Sequence, residues 1–182
     1  YNTYYVYKKN FNLLKKIFGD KRFDYPKSLY LVMDILKITS KENAVILDFF
    51  AGSGTTGQAV LELNKADGGK RKFIISTNNE LNGEEVKLRE QGLSEEKIQA
   101  HGICQAVTYP RIKKVINGYA NIQGISANLK YYKTASIPAD PTDKNKVALT
   151  EKSTEMLCIK EDTFEEVKST KQYKIFRNKK RY

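Results

Sequence analysis

The chain has 182 residues, a formal net charge of +11, 40% hydrophobic residues and two cysteines. At roughly 150 residues per domain that is one domain, or one with an appendage, and the apolar content excludes a disordered chain. Asp48 interrupts the longest apolar run, Ala44–Ala51, far short of the ~18 residues a membrane span needs, and Cys104 and Cys158 alone exclude a disulfide scaffold.

Tyr1–Asp20 is aromatic and basic, with Tyr1, Tyr4, Tyr5 and Tyr7 ahead of Lys8 and Lys9. These tyrosines read as a packed edge strand, with base stacking or partner contact as the alternative. Phe11, Leu14, Ile17 and Phe18 follow at near-helical spacing. The chain opens at Tyr1 rather than methionine and carries no charged-then-apolar leader, which predicts a piece of a longer molecule.

In Phe23-Asp24-Tyr25-Pro26-Lys27-Ser28 the proline sets an extended geometry, and Ser28 caps an amphipathic helix carrying Leu29, Val32, Met33 and Leu36. Ala44–Phe50 then predicts a strand, Ala51–Thr56 a glycine-rich loop, and Gly57–Asn64 a helix that ends in Asp67-Gly68-Gly69. Phe73–Thr77 predicts the next strand. Strand, loop, helix, turn and strand make a βαβ unit, which wants a parallel sheet.

Glu80–Gly124 is charged and helical in pieces, punctuated by Tyr109-Pro110 and closing with a short helix through Ile112, Val115 and Ile116 that ends at Gly118. Alternation in Asn128–Thr134 predicts a third strand. Ser136–Lys146 reads as a loop, Leu149–Val167 as a helix and Gln172–Phe176 as a strand before a basic end.

Gly52-Ser53-Gly54-Thr55-Thr56-Gly57 carries the chemistry. Glycines at this spacing bring backbone N–H groups close to a ligand at a helix N-terminus. Position 58 is glutamine where a P-loop needs lysine, which disfavours nucleotide hydrolysis. A dinucleotide site wants an acid about 20 positions beyond the last glycine, where this chain has Thr77; Glu80 is the nearest carboxylate. Asp48 at the strand's tip suits a cationic or polyol ligand and would repel a pyrophosphate, and an aromatic ring beside it can flank an adenine or a sulfonium carbon. That chemistry fits S-adenosylmethionine better than NAD. One of Phe49 and Phe50 is expected in the core, since neighbours on a strand face opposite sides. His101 and both cysteines read as structural, because together they cannot supply a usual zinc site.

Asp48–Thr56 resembles motif I of the amino-methylating DNA methyltransferases, which act on adenine N6 or cytosine N4. Phe23–Ser28 is similar to that family's motif X, which closes over the methionine end of the cofactor; motif X just before motif I is the order of the β class. Further runs resemble the C-terminal part of the methylation (Mod) subunits of type III restriction–modification systems. They are His101-Gly102-Ile103-Cys104 with Thr108-Tyr109-Pro110-Arg111, Asn128–Thr134, and Thr154-Glu155-Met156 with Glu161–Glu165. The resemblance covers Arg22 to the end.

The resemblance implies S-adenosyl-L-methionine as cofactor. Asp48 and the backbone of Phe50, Ala51, Gly52, Ser53, Gly54 and Thr55 would line its pocket, Tyr25, Lys27 and Ser28 would face its carboxylate and amino group, and Glu80 would accept its ribose hydroxyls. The family's catalytic Asp/Asn/Ser-Pro-Pro-Tyr/Phe motif holds a flipped base by hydrogen bonds and stacking. This chain has no Pro-Pro; Asp140-Pro141-Thr142 lacks the second proline and the aromatic ring. No catalytic residue is therefore assigned, and the chain is expected to be inactive alone.

The fold expected is α/β: an incomplete Rossmann-like, S-adenosylmethionine-dependent methyltransferase fold, the cofactor-binding half of a mostly parallel sheet with flanking helices. An N-terminal segment would span 1–20, the core 21–135 with a helical insertion at 80–125, and a loop, helix and basic tail 136–182. The function expected is the cofactor-binding portion of a bacterial, cytoplasmic, type III adenine-N6 methyltransferase. A non-catalytic nucleic-acid-binding or scaffolding piece is the alternative, followed by an NAD-dependent oxidoreductase. Expected partners are double-stranded DNA, the remaining half of the enzyme or a second copy, and a restriction (Res) subunit, with no membrane. Lys168, Lys171, Lys174, Arg177, Lys179, Lys180 and Arg181 form the cationic cluster expected on DNA phosphates.

Overall fold

The computed structural model describes residues 12–178 except 82, so the early tyrosines, Lys8, Lys9 and Phe11, and Lys179, Lys180 and Arg181 lie outside the described residues. The chain divides into two compact units, one reaching to Tyr131 and one beginning at Tyr132. It is a mixed α/β protein with a small parallel sheet.

In the first unit, residues 12–18 are helical, as their apolar spacing predicts. Helix α1 spans Leu29–Thr39, and the Ser28 hydroxyl caps it by accepting from the Leu31 amide. Strand β1 (Val45–Asp48) leads through the glycine loop into α2 (Thr55–Asp67), which Gly68 closes in the left-handed conformation. Strand β2 (Lys72–Ile75) pairs parallel with β1, Ile46 opposite Phe73 and Asp48 opposite Ile75.

Helix α2 is the hub. Ala59, Val60 and Leu63 pack with Leu29, Leu36 and Ile46, while Leu61 joins Leu14, Ile17, Ile112, Val115, Tyr119 and Ile125. A helix enclosed on both sides tolerates apolar residues around most of its girth, and even Gln58 is fully buried. Among the described residues the other face of the sheet is open: Val45, Leu47 and Ile74 are exposed.

Beyond β2 come α3 (Glu85–Glu90), α4 (Glu95–Gln99), a π-helical turn at Cys104–Thr108 and α5 (Tyr109–Asn117), ended by Gly118. The proline does not break the chain's helical course; it sits in the first turn of α5, where a missing N–H costs little. Ala106, four residues before Pro110, accepts from Arg22 instead, at 3.4 Å.

The third strand expected at Asn128–Thr134 is absent; that stretch is irregular. Its alternation has another cause. Leu129 packs against the core around Ile112, and Tyr131 leans on the Tyr109 ring with centroids 5.0 Å apart. Side chains laid along α5 produce the same period as a paired strand.

In the second unit α6 spans Asp143–Glu161, capped by the Thr142 hydroxyl, so the helix begins within the expected loop and stops before Val167. Asp162, in the left-handed conformation, ends it, and β3 (Glu165–Ser169) and β4 (Lys174–Arg177) follow as an antiparallel hairpin with a bulge at Glu166/Lys168. Val167 therefore lies in a strand. Arg177 and Glu165 pair across the hairpin at 2.6 Å, which holds the Glu165 carboxyl below its ordinary value.

Burial separates two leucines of the first unit. Leu63→Ala should lower the unfolding free energy by about 3 kcal/mol in chemical denaturation. Leu47→Asn, on the open sheet face, should change it by no more than about 0.5 kcal/mol.

Candidate functional site

At the C-terminal tip of β1 lies a cleft of about 120 Å³ lined by Phe23, Tyr25, Lys27, Val32, Asp48, Phe50, Ala51, Gly52, Ser53, Thr55 and Thr56. A wider depression of about 840 Å³ opens at the opposite end of the sheet, among Lys37, Lys41, Lys70 and Arg71. Open parallel sheets bind ligands outside the carboxyl ends of their strands, which selects the first.

Gly52 and Gly54 have φ of 49° and 78°, the left-handed region in which a side chain is strained. A Cβ on Gly54 would also sit 3.3 Å from Thr108. Gly57 serves packing instead: a Cβ there would meet Ile112 at 2.8 Å and Ile75 at 3.4 Å. Gly54 offers α2 no side-chain cap, so the first turn keeps backbone donors for a ligand.

Asp48 organises the front of the loop. One carboxylate oxygen accepts from the Phe50 amide at 3.0 Å and the other from the Thr56 hydroxyl at 2.6 Å. Behind the loop, the Thr108 hydroxyl donates to the Gly52 carbonyl. Arg111 is 1% exposed. Its Nε donates to Gln58 at 2.9 Å, and its Nη1 lies 3.1 Å from the Ser53 carbonyl, 3.0 Å from the Ser53 hydroxyl and 2.9 Å from the Thr55 hydroxyl. Burial pushes this guanidinium down to about 10, so it is still a cation at neutral pH.

The structure gathers Tyr25, Lys27, Asp48, Phe50, Ala51, Gly52, Ser53 and Thr55 around one cleft. Ser28 and Gly54 adjoin it as the caps of α1 and α2. Glu80 does not line it; its backbone carbonyl accepts from the Ile103 amide, and its carboxylate lies 3.4 Å from the Asn78 amide. Phe49 and Phe50 are both exposed, at 67% and 92%, where one was expected in the core. They fall in the turn after β1, beyond the reach of strand alternation.

Three further lining residues, Phe23, Val32 and Thr56, have local signals: the aromatic before Tyr25-Pro26, the inward stripe of α1 and a second hydroxyl after the glycines. Thr108 and Arg111 stand in a run already singled out for its resemblance to the Mod subunits, but nothing local ties them to the loop, which they reach from 56 and 58 residues away in sequence.

A family model described as DNA methylase, of the N6/N4 methyltransferase type, matches residues 2–136. The chain is 53% identical over 68 residues to the type II methyltransferase M.KpnI of Klebsiella pneumoniae, covering 37% of this chain and 16% of that protein. It is 52% identical over 61 residues to the StyLTI Mod subunit, a type III restriction–modification protein of Salmonella typhimurium, covering 34% and 9%. To the EcoPI Mod subunit of Escherichia phage P1 it is 47% identical over 68 residues, covering 37% and 10%. The matched stretches thus span no more than 16% of these relatives' length.

The loop geometry predicts the outcome of filling it. Gly54→Ala should cost about 1–2 kcal/mol of stability from the left-handed backbone alone, with the Thr108 contact adding to it. Thermal unfolding measures this, and Gly68→Ala, equally left-handed but with open space around it, isolates the backbone part.

Proposed function

Because the chain belongs to the N6/N4 DNA methylase family, we propose that its cleft binds S-adenosylmethionine for DNA methylation, at adenine N6, as part of a type III restriction–modification enzyme. The observation that carries this reading is the shared cleft. Asp48, the glycine loop and the Tyr25–Lys27 segment line one cavity although they are separate in sequence.

The residues suit the cofactor's parts. Lys27 offers an ammonium to an α-carboxylate, the uncapped first turn of α2 offers amide donors, and the exposed Phe50 ring offers a flat apolar surface to an adenine. When bound, the cofactor supplies a methyl carbon activated by its sulfonium. This chain's residues hold that carbon in place, and such placement supplies much of the rate in a displacement that needs little acid–base help. Glu80 is proposed for the ribose hydroxyls as the first carboxylate after β2, although it stands off the cleft's lining.

The cleft is one wall of a site. Its 120 Å³ falls below the ~300 Å³ of a pocket that encloses a drug-sized ligand. The Pro-Pro-aromatic motif is missing from the sequence, and among the described residues one face of the parallel sheet is bare. Parallel sheets are ordinarily covered on both faces. We therefore read the fold as the cofactor-binding half of a Rossmann-like methyltransferase, with core 21–135 and appendage 136–182. A second polypeptide segment would supply the covering helices and the target-base motif, and a Res subunit would complete the assembly. The missing motif equally favours a second reading, a nucleic-acid-binding piece without cofactor use.

Calorimetry separates these. S-adenosylmethionine should release or absorb heat on binding, and Asp48→Ala, which frees both the Phe50 amide and Thr56, should weaken binding at least about tenfold, or ~1.4 kcal/mol. Silence with the cofactor would leave the second reading standing, and heat from NADH would favour an oxidoreductase. For the DNA partner, Lys168, Lys171 and Lys174 sit on or beside the exposed hairpin. Their triple replacement by glutamine should flatten the salt dependence of duplex binding by about 2–3 in log–log slope. An unchanged slope in a filter or anisotropy titration removes this surface from the interface.

A further inference from the structure

The glycine loop is held from behind by one segment of chain, the junction of the π-helical turn and α5. A buried guanidinium is expensive, and here its partners are neutral: the Gln58 amide oxygen, two hydroxyls and the Ser53 carbonyl. If α5 needed only to fill space against α2, an apolar side chain of similar volume would serve as well or better. All four acceptors belong to the loop or to the first turns of α2. Thr108 precedes Arg111 by three positions, hence lies near it on the helical surface, and takes the carbonyl of Gly52.

Peptide planarity converts these contacts into a direction. In a trans peptide the C=O and the following N–H point opposite ways. Drawing the Gly52 carbonyl back to Thr108 therefore aims the Ser53 N–H forward, toward the cleft. Drawing the Ser53 carbonyl back to Arg111 turns the Gly54 N–H toward Ala51, whose carbonyl accepts it at 2.7 Å. The hydroxyls of Ser53 and Thr55 are bonded to the same guanidinium although both residues line the cleft, so what they present to a ligand is backbone.

We propose that Arg111 and Thr108 are positioning residues for the ligand loop: they fix the orientation of consecutive peptide groups so that the Ser53 amide faces the cofactor, and neither touches the cofactor itself. This rests on the reading of the cleft as the S-adenosylmethionine site.

The test uses the whole chain with Arg111→Met, Arg111→Lys and Thr108→Val, reading cofactor affinity by calorimetry, the thermal midpoint, and amide hydrogen exchange at 52–55 without ligand. Arg111→Met should weaken binding by about tenfold or more and speed exchange in the loop, by more than its loss of midpoint accounts for, since the buried acceptors it leaves unpaired also cost stability. Arg111→Lys, which keeps the charge without the planar fork, should recover part of the affinity. Thr108→Val should act in the same direction and more mildly, and it decides the matter if Arg111→Met does not fold. Wild-type affinity and loop protection in Arg111→Met and Thr108→Val would overturn the proposal. So would affinity that falls only in step with the midpoint in every variant, the mark of a structural role. If the wild-type chain binds no cofactor, the reading beneath fails, and loop exchange decides alone: faster in the variants upholds the positioning role, unchanged rejects it.

Discussion

A loop with two left-handed glycines has much backbone freedom to lose, so its shape must be imposed. Here it is imposed from two sides. Asp48 takes the Phe50 amide and the Thr56 hydroxyl at the front, and Thr108 and Arg111 take successive carbonyls at the back. The front clamp comes from the strand that launches the loop and the helix that receives it, so it forms as soon as that unit folds. The back clamp depends on α5 being docked on α2 through Ile112 and Val115, which ties the shape of the site to the core around Leu61.

That dependence explains what could be read from the sequence. β1, the loop, α2, its Gly68 stop and β2 are consecutive, and each is specified by neighbours a few residues away. Ser28 as a cap and Gly118 as a stop belong to the same local class. The failures share an opposite character. Asn128–Thr134 alternates because Leu129 and Tyr131 lie along a helix, and periodicity carries no label saying what imposes it. Phe49 and Phe50 fall just past the end of a strand of four residues, where a shift of two positions exchanges an alternating pattern for a turn. Arg111 stands in a run that resembles the Mod subunits, yet that run gives it no role until the loop is placed against it.

The open sheet face follows the same logic on a larger scale. Ile46 and Phe73 point toward α1 and α2, and their apolar strand neighbours Val45, Leu47 and Ile74 point the other way into solvent. Among the described residues the two strands also leave both outer edges unpaired, which proteins ordinarily cover or extend. A sequence with valine, leucine and isoleucine at those positions is written for a layer on the second face. On the proposed reading that layer comes with the target-base half, and the cleft gains its missing wall in the same step.

The electrostatics of the cleft bear on which ligand that completed site would take. Both oxygens of Asp48 are engaged, yet hydrogen bonds from an amide and a hydroxyl do not neutralise a carboxylate; its negative charge still stands at the strand tip. Lys27 contributes a positive charge within the same small volume, and the first turn of α2 adds the positive end of a helix dipole. Arg111 lies behind the loop rather than in the cleft, separated from a ligand by the peptide groups it orients. A dinucleotide's pyrophosphate would gain from Lys27 and the helix but would face Asp48 with like charge at close range. S-adenosylmethionine carries a sulfonium and an ammonium, which suit the carboxylate of Asp48, and an α-carboxylate, which suits the ammonium of Lys27. Within the proposed reading, the opposite charges of Lys27 and Asp48 in one lining therefore discriminate more sharply than the glycines do, since the loop alone would accept either ligand.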